Sequence, residues 1–209
     1  SVGVDNWEYT EDQTLMAKGL APLFDAIAVR KDSRVELGRK YLGVKAKHVL
    51  DPTMLLSKQD YVDLILAEKE PSSLGNLFTY ILDPSEEKQS IIKQVAQEKK
   101  LIPFSVQAKL NTRTKQNCKA RIKDLIVPPV TKWLRGFYDA EFVITDSFHG
   151  CVFSIIFNKP FIAIGNQERG IARFKSLLKI FHLEDRLLES ANLNDINFSK
   201  LIDWTMVNR

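Results

Sequence analysis

Cysteine is nearly absent: Cys118 and Cys151 are the only two in 209 residues. They provide neither a disulfide framework nor metal-ligand spacing, so a reducing compartment is the expected setting. Histidine is scarce too, with three residues, which shortens the search for an imidazole acid or base. No apolar run approaches the roughly 18 to 20 residues that a membrane span needs. The start, Ser1-Val2-Gly3-Val4-Asp5, has neither a basic n-region nor an apolar core, so no secretory signal peptide is expected. An initiator Met is missing as well, and the chain is expected to be a piece of a longer protein. Internal repeats and low-complexity tracts are absent.

What remains is ordinary globular material. The apolar fraction is 44% and the charged fraction 27%, in a chain long enough for one large domain or two small ones. The net charge of +4 and a pI near 9.0 suit an anionic substrate, an acidic membrane surface or nucleic acid, and choose between none of them. Basic residues concentrate from Lys109 to Lys123 without interleaved aromatics. That stretch is expected to be a solvated face, and no nucleic-acid partner is expected.

Strand and helix patterns alternate along the chain. Thr10 precedes Glu11-Asp12-Gln13, a helix start with Gln at the capping-box position, and the helix is predicted to run to about Phe24. A strand over Ala26 to Val29, a helix over Arg34 to Tyr41 stopped by Gly43, and a strand over Lys47 to Leu50 closed by Asp51-Pro52 follow. The best linker is Lys69-Glu70-Pro71-Ser72-Ser73. It divides the expectation into residues 1–70, the remainder of an N-terminal Rossmann-like domain, and 71–209, a C-terminal one. Strands are predicted at Leu77 to Leu82, Leu101 to Val106, from Phe142, and at Pro160 to Ile164. Helices are predicted from the Asp83-Pro84-Ser85-Glu86-Glu87 start to about Lys99, over Thr131 to Tyr138, from Cys151, and over Arg173 to Phe181. An amphipathic tail spans Phe198 to Val207. This alternation argues for an α/β fold with a parallel, Rossmann-like sheet.

The most informative stretch is Phe142-Val143-Ile144-Thr145-Asp146-Ser147-Phe148-His149-Gly150. A buried strand runs into a tight polar turn and then a helix, which Asp146 or Ser147 can cap. Gly150 permits close backbone approach. His149 is thereby held at the edge where open α/β sheets bind ligands, beside a helix N-terminus that attracts anions.

Four segments together carry a family resemblance. They are Ile27-Ala28-Val29-Arg30-Lys31-Asp32-Ser33, His48-Val49-Leu50-Asp51-Pro52-Thr53, Val143 to Gly150, and Pro160-Phe161-Ile162-Ala163-Ile164. In order and spacing the chain resembles the polysaccharide pyruvyl transferase family over nearly its whole length. The resemblance implies an architecture similar to glycosyltransferases of the B type, with two facing Rossmann-like domains, the N-terminal one incomplete here. It implies transfer of pyruvate from phosphoenolpyruvate to two hydroxyls of a lipid-linked or polymeric glycan, forming a cyclic ketal and releasing phosphate. Phosphoenolpyruvate is then a co-substrate, and no cofactor or metal is expected. The implied setting is cytoplasmic, with peripheral association at the inner face of the membrane. The family's histidine matches His149 and its arginine after the N-terminal strand matches Arg30. Its basic residue after the next strand matches Arg169, with Arg173 as competitor. Many members carry an arginine two places before the histidine, where this chain has Ser147, so that anion contact is lost or supplied from elsewhere.

The chemistry fits these residue types. Ketal formation needs a proton on the methylene carbon and a proton off the sugar hydroxyl, and one imidazole can serve either step. A phosphate and a carboxylate need guanidinium groups and backbone N–H groups. His149 is therefore the expected acid/base. Arg30, Ser147, Gly150, Arg169 and Arg173 are the expected donor-binding set, with Asp146 and Asp51 in support. Plainer readings stand beside these: His149 as a capping residue, Arg30 and Arg169 as solvated charges, Asp51 as turn chemistry, Asp146 as a backbone cap. His48 and His182 are expected to be structural or surface residues, and Cys151 to pack rather than react. A nucleotide-sugar-dependent glycosyltransferase of similar architecture, or an inactive fragment, is the alternative.

Overall fold

A computed structural model describes residues 9–107, 126–165, 170–189 and 200–208. Two parallel sheets organise it. The smaller pairs β1 (Ile27–Val29) with β2 (Ala46–His48). Around it lie α1 (Glu11–Leu20), a 3-10 turn at Ala21–Leu23, and α2 (Asp32–Leu37), which runs into one π-helical turn at Gly38–Leu42. The Thr10–Gln13 capping box forms reciprocally, as the sequence pattern requires.

The larger sheet has five parallel strands in the order β4-β3-β5-β6-β7. These are β3 (Leu77–Tyr80), β4 (Pro103–Phe104), β5 (Phe142–Thr145), β6 (Phe161–Ile164) and β7 (Leu187–Leu188). Counted within this unit the order is 2-1-3-4-5, a doubly wound Rossmann-like sheet whose winding direction reverses between β3 and β5. Side-chain alternation separates two cores. Phe142, Ile144, Ile162 and Ile164 pack with Ile91, Ile92 and Val95 of α4 (Glu86–Lys99). Phe78, Val143, Phe161 and Ala163 pack on the other face against α5 (Val130–Asp139), α6 (Phe148–Ile156) and α7 (Ile171–Ile180). Each central strand is buried on both faces, which is why it reads as a continuous apolar run.

Several elements differ from the sequence expectation. A helix that was not expected, α3 (Lys58–Ala67), carries a Ser57–Asp60 capping box and buries Tyr61, Val62 and Ile65 in the same core as Phe78 and Phe153. It therefore packs across the expected 70/71 division. β4 shrinks to two residues because it is an edge strand containing Pro103, which has no N–H to donate. β7 is another two-residue strand, too short to announce itself. The amphipathic tail forms only α8 (Trp204–Val207) among the described residues. No helix among them is long and apolar enough to cross a membrane. The basic stretch from Lys109 to Lys123, with Cys118, lies outside the described residues.

Candidate active site

Parallel pairing brings the first wall together. Val29 lies opposite His48, so Arg30 and the Asp51 turn leave their strands at one edge. The Asp51 side chain is only 3% exposed and its Oδ2 accepts from Arg30 Nη1. Its Oδ1 caps the 3-10 turn at Pro52–Leu55, accepting from the Thr53 N–H at 3.1 Å and the Thr53 hydroxyl at 2.9 Å. Asp51 thus performs the turn chemistry and the ion pair at once. Burial by itself would raise its carboxyl. The Thr53 N–H, Arg30 and the Thr53 hydroxyl outweigh burial and hold it below the usual carboxylate range.

The second wall is the turn after β5. α6 begins at Phe148, one turn earlier than the expected start at Cys151. The Thr145 hydroxyl folds the turn by accepting from the Ser147 N–H at 3.0 Å while donating to the Tyr80 carbonyl at 2.8 Å. Ser147 occupies the N-cap, but its side chain makes no capping bond. Asp146 does not cap α6 either. It is fully buried and turned to the loop after β3, accepting from the Leu82 N–H at 2.6 Å, the Asp83 N–H at 3.0 Å and Lys88 Nζ at 2.7 Å. Its role as a backbone clamp is the plainer of the two expected for it. Gly150 is needed for packing: a side chain there would strike Thr145. From Phe142 to Ile155 every residue is buried except His149, whose side chain is 50% exposed.

The two walls meet at Phe148 and His149. The Arg30 guanidinium lies 5.9 Å from the Phe148 ring centroid and that of Arg173, in the first turn of α7, lies 5.5 Å from it. The His149 ring is edge-on to Phe148, and its Nε2 is 3.8 Å from Asp51 Oδ2. His149, Arg30, Arg173 and Asp51 therefore converge on one point, at the strand ends where the sheet reverses its winding. Burial lowers the His149 pKa most, Asp51 opposes that, and Arg30 and Arg173 lower it further. The resting imidazole is biased to its neutral form. An anion set against the arginines would reverse that bias. Arg169 lies outside the described residues.

Of the remaining candidates, Cys151 is completely buried and its thiol pushed far up by burial, which leaves it no nucleophilic role. His48 is structural in an unexpected way. Its Nε2 is 3.1 Å from Ser176 Oγ, which also accepts from the Asp32 N–H at 3.3 Å, so α7 is tied to both β2 and the start of α2. Phe148 and Ser176 escaped sequence reasoning, because each matters through partners distant in the chain. Lys31 escaped as well, although a cation that is 5% exposed directly after Arg30 belongs to this wall.

A family model for polysaccharide pyruvyl transferases matches residues 1–168, which contain His149, Arg30 and Asp51. The chain belongs to the polysaccharide pyruvyl transferase family. No curated protein matches the sequence. Family membership makes it a transferase that modifies a polysaccharide, with an α/β Rossmann-like fold. The matched segment stops short of Arg173, which the sequence offers as the competitor of Arg169 and the geometry places beside Phe148.

Proposed function

We propose that the chain transfers pyruvate from phosphoenolpyruvate to two hydroxyls of one sugar of a surface glycan, closing a cyclic ketal and releasing phosphate. The observation that carries this reading is the convergence of Arg30 and Arg173 on Phe148 beside His149. Two guanidinium groups suit a donor with a phosphate and a carboxylate, and the nearby imidazole is the acid/base the transfer needs. As the dianionic phosphate enters, its charge raises the His149 pKa and the imidazole takes up a proton. His149 delivers that proton to the methylene carbon while a sugar hydroxyl bonds to the adjacent carbon, and it recovers a proton from that hydroxyl. The second hydroxyl then attacks the same carbon. The C–O bond to phosphate breaks, and phosphate leaves with the second proton. Arg30, held by Asp51, stays in place through both steps.

The test is a donor assay. Phosphate release from phosphoenolpyruvate should require an acceptor glycan, and His149→Gln should lower it about 10²- to 10⁴-fold while phosphoenolpyruvate binding persists. Arg173→Gln should instead weaken donor binding about 10- to 100-fold, the loss expected for one charge-assisted hydrogen bond. Binding of a nucleotide sugar with no response to phosphoenolpyruvate would replace this reading with a glycosyltransferase.

A further inference from the structure

Beside the arginine cluster lies a recess of about 500 Å³, within the size range of small-ligand sites. It shares His149 with the cluster but contains neither Arg30 nor Arg173. Tyr80 at the end of β3, Gln107 beyond β4, Val130 and Trp133 of α5, and Phe153 of α6 contribute to its walls. We propose that this recess is the acceptor subsite and takes one pyranose ring of the polysaccharide, its C–H face lying on the aromatic side chains. The inference rests on the transfer reading above, and it adds where the sugar sits and what recognises it.

Three observations favour a sugar over other occupants. No Lys, Arg, Asp or Glu is among the described residues that line the recess. Among those described residues a phosphate or diphosphate would find only His149 as a counter-charge, whereas a sugar's neutral hydroxyls need none. The aromatic rings are locked before any ligand arrives. Trp133 is edge-on to Tyr80 at 5.3 Å, to Phe153 at 4.8 Å and to Phe137 at 4.8 Å, so a ring laid on them costs little further ordering. Finally, polar groups stand at the same walls. The Gln107 amide is fixed by donating to the Ile81 carbonyl at 3.0 Å, and the His149 imidazole is present. A prenyl chain requires neither, but a hydroxyl about to lose its proton requires the imidazole.

Tryptophan indole resonances give a test that does not depend on turnover. The 209-residue chain is labelled with ¹⁵N and titrated with the methyl pyranosides of glucose, galactose, mannose and N-acetylmannosamine. Trp133 is assigned by Trp133→Phe. Trp204 serves as control, because it lines a separate cavity with Phe142 and Pro160 at the opposite edge of the sheet. At least one glycoside should move Trp133 saturably and leave Trp204 still. Val130→Arg, at a position 69% exposed and therefore tolerant of change, should weaken that response about tenfold. Phosphoenolpyruvate, titrated separately, should still move the Phe148 and His149 amides in the variant with unchanged affinity. If phosphoenolpyruvate binds but no glycoside moves Trp133, or if farnesyl phosphate alone moves it, the subsite assignment is wrong and the donor reading survives. If glycosides move Trp133 while phosphoenolpyruvate moves nothing, the subsite stands and the donor reading fails.

Discussion

At His149 two opposing influences set the proton. Burial, Arg30 and Arg173 favour the neutral ring, and Asp51 favours the charged one. The first expectation is an apparent His149 pKa below the ordinary histidine value, read from its imidazole C–H resonance, that rises when phosphoenolpyruvate is added. A value that does not respond to the donor would remove the coupling between anion binding and proton uptake. Asp51→Asn sharpens this. Asparagine still accepts the Thr53 N–H but carries no charge, so the His149 pKa should fall further in the free protein and turnover should drop. A second consequence follows from linkage. The Asp51 carboxyl is held below its usual value in the folded state. Its stabilisation is complete above the ordinary Asp range and is lost as the pH falls through the lowered value. Asp51→Asn should therefore flatten the acid limb of the stability profile in urea unfolding. The sequence showed His149, Arg30 and Arg173 because strand-to-helix turns and basic residues after strands are local patterns. It did not show that Asp51 clasps Arg30, since that depends on β1 and β2 lying parallel in one register. Nor did it show Phe148 beside two arginines, because the expected helix start had left Phe148 in a turn.

Elements are held in place around the site by polar ties. The buried Asp146 carboxylate fastens the loop after β3 to the turn after β5, through two backbone N–H groups and Lys88. This tie crosses the point where the sheet reverses its winding, so it fixes the spacing of the two strands that form the site edge. Lys88→Met would leave that buried charge without its cation, and a loss of about 3 kcal/mol is expected, measured as a shift in the urea midpoint. A change within error would mean that the two N–H groups alone satisfy the carboxylate. The legible elements were those with local start signals. α1 and α4 have acidic first turns and capping side chains at Thr10 and Ser85, and β5 and β6 are built on the short apolar runs Phe142 to Ile144 and Phe161 to Ile164. α3 had a comparable signal in Ser57 and Asp60. However, Leu64 and Leu66 are exposed while Tyr61, Val62 and Ile65 are buried, so its apolar residues do not trace one clean stripe. β7 is set wholly by tertiary pairing with Ala163 and Ile164, and no local pattern could have shown it.

The molecule as a whole is unevenly built. The five-stranded sheet has a core on each face, whereas the β1–β2 pair is a two-stranded parallel sheet, marginal by itself. α1 buries no residue, and Leu15, Met16, Leu23 and Phe24 are exposed. What joins this smaller unit to the larger one near the site is largely polar: the Ser176 contacts to His48 and Asp32, and the approach of Asp51 and Arg30 to His149 and Phe148. Arg30 and Asp51 sit on the weaker body and His149 and Arg173 on the stronger, so on the proposed function a donor that contacts both favours the joined form. Hydrogen exchange should display this. Amides of β1 and β2 should exchange far faster than those of β3, β5 and β6 in the free protein, because few buried apolar contacts protect them. A donor that touches both Arg30 and Arg173 binds only the joined form and must slow β1–β2 exchange by mass action, leaving the central strands unchanged. Ser176→Ala removes the hydroxyl that ties α7 to both His48 and the start of α2, so it should speed β1–β2 exchange without donor and weaken donor affinity as far as it depopulates the joined form. If β1 and β2 are as protected as β5 before any ligand is added, the two bodies are already one, and Arg30 must be placed by packing alone.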